Sequence, residues 1–92
     1  MVNKSLNKIR NKLDVLDDQL LLLIKKRARL VDEVLKTKKL KKEIIDKKRI
    51  FQILKRIKNK SKKAKIDHRI TNKIWKTMIY AFINYEYRNF RK

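Results

Sequence analysis

Glycine, proline and cysteine are all absent from this 92-residue chain. Average usage would supply roughly six glycines and about five prolines at this length. Tight hairpins, phosphate-cradling loops and dinucleotide fingerprints need backbone conformations that glycine supplies, so sheet folds are disfavoured and P-loops and Rossmann motifs are excluded. Without cysteine there is neither a disulfide framework nor a thiolate zinc site, and the single histidine, His68, cannot by itself build a metal centre. No cofactor is expected. The amino-terminal stretch MVNKSLNKIR has no apolar core of a signal sequence, and no uncharged run approaches ~18 residues. The expectation is a cytoplasmic protein with no membrane association.

Hydrophobic residues make up 42% of the chain, too many for a disordered basic tail, although the formal net charge is +20. One small domain, residues 1–92, is therefore expected. Leu6, Ile9, Leu13, Leu16, Leu20, Leu23, Leu30 and Val34 recur at alternating spacings of three and four, which predicts a long amphipathic first helix. Asn3 or Ser5 is placed to cap it, and its pattern runs to about Leu40. A second helix follows Asp46 on Ile50, Ile53, Leu54 and Ile57, and the polar stretch KNKSKKAK is expected to break it. A third starts near Asp67 and is expected to bury Ile70, Ile74, Met78, Ile79, Phe82 and Ile83. The fold class is thus all-α, with three helices of unequal length.

A first helix of ~38 residues would be about 57 Å long, against a diameter of about 30 Å for a compact chain of this size. Its apolar seam needs cover that two short helices cannot give. An intertwined homodimer with paired long helices supplies that cover.

Charge is concentrated in the middle: residues 35–63 carry 14 basic and 2 acidic groups. Such a block is compatible with binding nucleic acid through counterion release. Most of it, however, is lysine on predicted solvent faces, and the solvated reading is favoured over a nucleic-acid partner.

Some charges fall where the apolar pattern calls for hydrophobic residues. Arg27 lies seven residues after Leu20 and seven before Val34, in the seam itself. It either snorkels at a dimer edge, pairs with Asp32 or Glu33, or serves a site. Lys38, eleven residues on and so about three turns further, points along the same face. Arg10 is some 25 Å from Arg27 along an ideal helix, so only an antiparallel partner would deliver it to the same place. Asp46 and Arg49 are spaced i, i+3 at the start of the second helix, where Asp46 serves as a cap that also pairs with Arg49. Glu86 follows Phe82 by four on an otherwise apolar face, where a carboxylate needs a cationic partner or a proton. Trp75 and Met78 read as core, and Tyr80, Tyr85 and Tyr87 as a partly exposed end.

Together these positions resemble the all-helical chorismate mutase family. The run LNKIRNKLDVLDDQLLLLIKKRARLVDEVLKTK is similar to that family's first helix, with an early Arg, a central Arg and a Lys eleven residues later. DKKRIFQILKRI fits its entry to the second helix, and IWKTMIYAFINYE its closing helix with a terminal Gln or Glu. The resemblance implies a domain-swapped dimer with two equivalent sites, and the rearrangement of chorismate to prephenate in aromatic amino-acid biosynthesis, without metal or cofactor. It implies that Arg27 and Arg49 hold the substrate carboxylates together with Arg10 from the other subunit. Lys38 would donate to the ether oxygen and a carboxylate, and Asp46, Ile50, Phe82 and Glu86 would complete the substrate site, with Lys38, Glu86 and Arg27 catalytic. Glu86 would have to be protonated to donate to the ether oxygen, so activity is expected to decline toward alkaline pH. Ile50 stands where many members carry an acidic residue that binds the substrate hydroxyl. In that, and in Phe82, the chain resembles the isochorismate pyruvate-lyase branch.

Overall fold

The computed structural model describes residues 3–91. Among them the chain forms three α-helices and no strand: α1 (Lys4–Thr37), α2 (Lys47–Lys63) and α3 (His68–Asn89), with a 3-10 turn at Lys41–Glu43 between the first two. By their contacts the described residues divide into a first unit ending at Leu30 and a second beginning at Val31.

The first unit is helical throughout from Lys4, and none of its described residues is buried. Asn3 caps it: its side-chain oxygen accepts a hydrogen bond from the Leu6 amide at 3.0 Å, satisfying one of the orphan donors of the first turn. The heptad seam is present as predicted, but Leu6, Ile9, Leu13, Leu16, Leu20, Leu23 and Leu30 are between 38% and 60% exposed. Helix α1 ends at Thr37, three residues short of the expected Leu40. The Thr37 hydroxyl donates to the Val34 carbonyl at 2.7 Å and the Lys38 amide to the Leu35 carbonyl at 3.1 Å. This last turn tightens from i→i−4 to i→i−3 bonding, which stops the helix without glycine or proline.

The second unit holds the core, built from Leu35 of α1, Ile44 of the connection, Ile53 and Ile57 of α2, and Ile79 and Ile83 of α3. Ile50, Leu54, Trp75, Tyr87 and Phe90 pack around it. Asp46 caps α2 by accepting from the Arg49 amide, and Asp67 caps α3 by accepting from the Arg69 amide, each at 3.0 Å.

Two expectations are corrected. The stretch KNKSKKAK breaks α2 only at its end: its first six residues continue the helix to Lys63. Lysine is a good helix former, and Ser61 turns inward, donating to the Ile57 carbonyl and sharing a 2.7 Å hydrogen bond with Thr71 of α3. The break comes at Lys65, whose φ of 58° is left-handed. The Ile66 amide reaches back to the Ser61 carbonyl and the Lys65 amide to that of Lys62, the double bonding of a Schellman cap. With no glycine in the chain, a lysine takes the left-handed position at a cost of about 1–2 kcal/mol. On α3, Ile79 and Ile83 are buried as predicted and Met78 and Phe82 are half-buried, but Ile70 and Ile74 are 57% and 52% exposed. They lie on a face of α3 outside the core of the second unit.

Candidate functional site

The end of α1 and the end of α3 bring two of the sequence-predicted site residues together. Helix α3 presents Ile79, Ile83 and Glu86 at i, i+4 and i+7, so the face that supplies the core continues directly into a carboxylate. Glu86 is 6% exposed. Lys38 is the first residue beyond α1, and its Nζ lies 3.2 Å from Glu86 Oε1, as both a hydrogen bond and an ion pair. Their side chains are 15% and 8% exposed. In such surroundings a carboxylate without a cation would be strongly disfavoured, and Lys38 supplies the compensation.

The connection that follows is organised around the same ammonium. Lys38 Nζ also donates to the Ile44 carbonyl at 3.4 Å, and Ile44, at 2% exposure, is the anchor of the connection in the core. Glu43 accepts from the Leu40 amide at 3.2 Å, which closes the 3-10 turn. Lys38 and Asp46 then line one open hollow with Val34, Thr37, Glu43, Ile45 and Lys47. Its lining combines two lysines, two carboxylates and the apolar side chains of Val34 and Ile45.

The other predicted residues take separate positions. Asp46 acts as the α2 cap, accepting from the Arg49 amide, and Arg49 is exposed beside it. Ile50 is half-buried and packs against the core. Phe82 is half-buried, its ring edge-to-face with Tyr85 at 6.4 Å between centroids and 85° between planes. In the first unit Arg10 is exposed and Arg27 half-buried. Among the described residues no group of three His, Cys, Asp or Glu side chains is placed to hold a metal ion, and no helix is long and apolar enough to cross a membrane.

One contact beside the site escaped the sequence reading. The Tyr85 hydroxyl donates to Asp32 Oδ1 at 2.6 Å, joining the last turns of α1 to α3 one residue before Glu86. The carboxylate holds the phenol's pKa above its ordinary value, through the hydrogen bond first and then through desolvation and the nearby negative charge. Asp32 is itself one of the two acids expected to pair with Arg27, but a separation of 53 residues gives no periodic signal linking it to Tyr85.

The family model for chorismate mutase type II matches residues 9–87. No curated protein and no solved structure matches the chain.

Proposed function

The chain belongs to the chorismate mutase type II family and is an isomerase acting on chorismate, and we propose that the Lys38–Glu86 pair is the chemical centre of its site. The reaction breaks an ether C–O bond and forms a C–C bond within one molecule. It takes in and releases nothing, so the protein's task is to hold a compact conformer and stabilise the charge that grows on the ether oxygen. The observation that carries the assignment is the largely buried ammonium of Lys38 beside the carboxyl of Glu86. Lys38 donates to a substrate carboxylate and to the ether oxygen, and Glu86 beside it borders the same oxygen. Arg27 and Arg49 bind the carboxylates, and Asp46 and Phe82 border the site.

The working unit is an intertwined homodimer in which α1 pairs with its counterpart and Arg10 of each subunit completes the site of the other. The long apolar seam of α1, exposed along its whole first unit, supports this reading, because a monomer rarely leaves so much contiguous apolar surface in water. Ile70 and Ile74 add further apolar surface for the partner to cover. Residues 1–92 then act as one helical domain.

A second reading rests on Ile50, which offers no hydrogen-bonding group to a substrate hydroxyl and favours elimination of pyruvate from isochorismate. Incubating the purified chain with chorismate and, separately, with isochorismate distinguishes the two. Prephenate from chorismate, no salicylate from isochorismate, and loss of activity in Arg27→Ala are expected. Salicylate and pyruvate without prephenate would replace the mutase assignment with the lyase.

A further inference from the structure

Leu35 of α1 shares one core cluster with Ile79 and Ile83 of α3. Apolar packing of this kind is non-directional and fixes distance better than axial register. The Lys38–Glu86 contact, at 3.2 Å, is directional, so a slide of α3 along the end of α1 degrades its length and angle. A directional contact between α1 and α3 lies beside it in sequence, the Tyr85–Asp32 hydrogen bond. At 2.6 Å it has the short length of a charge-assisted bond to a carboxylate. It ties the position immediately before Glu86 to a position six residues before Lys38. Both side chains are half-buried, so water competes less for the bond than it would at an open surface.

The same phenol ring fixes a second element of the site. Its contact with Phe82 is edge-to-face, a geometry sensitive to ring rotation. Phe82 and Glu86 are four residues apart on α3 and share a face. Holding the Tyr85 hydroxyl on Asp32 therefore fixes the ring that borders Phe82 and, through the helix, the carboxyl of Glu86.

We infer that Asp32 and Tyr85 form a positioning pair that sets the register of α3 on α1, and thereby aligns Glu86 with Lys38 and orients Phe82 toward the substrate. This rests on the assignment of Lys38 and Glu86 to the chemical centre. Neither Asp32 nor Tyr85 touches the reacting atoms. Their effect appears in how well the donors are arranged when the transition state forms.

The test compares Tyr85→Phe, Asp32→Ala, Asp32→Asn and the double variant Asp32→Ala/Tyr85→Phe, each checked for helical content by circular dichroism. Removing the bond is expected to lower kcat by about three- to tenfold, the range of one ordinary hydrogen bond, with KM changed by less than about twofold. Asp32→Asn keeps an acceptor for the phenol and should lose less than Asp32→Ala. The double variant should be no slower than either single variant, since both remove the same contact. Independently of turnover, the carboxyl carbon resonance of Glu86 should shift in Tyr85→Phe, because its distance to the ammonium changes. A wild-type kcat in Tyr85→Phe together with an unmoved Glu86 resonance would overturn the proposal, as would single losses that multiply in the double variant. Wild-type protein that leaves chorismate untouched, with a Glu86 resonance that still shifts in Tyr85→Phe, would instead overturn the site assignment and leave the register role standing.

Discussion

The Lys38 ammonium meets the Glu86 carboxylate at 3.2 Å across 48 positions of sequence, at the junction where α1 ends and the apolar face of α3 gives way to charge. Each residue reaches the junction for a local reason. The tightened last turn of α1 stops the helix just before Lys38, and the i, i+4, i+7 repeat of α3 carries Glu86 to the end of the buried face. The ammonium and the carboxylate balance each other's charge in a largely buried place.

The first prediction concerns the two members of this pair. Glu86→Gln keeps a polar group beside the ammonium and should retain most of the wild-type kcat, whereas Glu86→Ala should lower it by about three- to tenfold, the range of one ordinary hydrogen bond. Lys38→Ala removes the cation and should lower kcat by on the order of a hundredfold or more, as removal of one preorganised donor does elsewhere. Steady-state rates with chorismate check all three, and a wild-type kcat in Glu86→Ala would rule out a role for Glu86 in the reaction.

The architecture was legible in the sequence to different degrees for identifiable reasons. The seam of α1 and the caps at Asp46 and Asp67 are written in local spacing, so they could be read directly. The charged intrusion at Glu86 was visible because it broke a local pattern. The persistence of α2 through Lys63 was not, because it depends on Ser61 finding Thr71 on another helix. Ile70 and Ile74 carry the same periodicity as Ile79 and Ile83, and periodicity alone cannot say which side of an apolar helix its own chain covers. The Tyr85–Asp32 bond was illegible altogether, since only the packing of α3 on α1 brings those residues together.

The second prediction concerns Arg10 and Arg27. If each site takes Arg27 from one subunit and Arg10 from the other, Arg10→Ala and Arg27→Ala should each be inactive alone. Unfolded together and refolded as a mixture, they form hybrid dimers with one intact site each, and activity should return to about a quarter of the wild-type level, as random pairing in a two-fold dimer requires. Sedimentation should give a dimer mass for all three samples. An inactive mixture with dimer mass would show that Arg10 does not cross the interface.

The third prediction uses the phenol. The Asp32 carboxylate accepts the Tyr85 proton in a hydrogen bond and sets a negative charge where a phenolate would form, so the proton leaves later than from an ordinary tyrosine, above the usual 10.0. A group whose pKa is raised on folding stabilises the fold fully below the unfolded value, and that contribution is lost as pH rises through the folded value. Absorbance titration of the three tyrosines should accordingly show one ionising later than the other two. In Asp32→Asn, with the charge gone and a weaker acceptor left, the late transition should move back toward the others. Thermal stability of the wild type should fall more steeply than that of Asp32→Asn once pH passes about 10, because the wild type has the stronger bond to lose. Coincident titration of all three tyrosines in the wild type would mean that Asp32 does not hold the Tyr85 proton in solution.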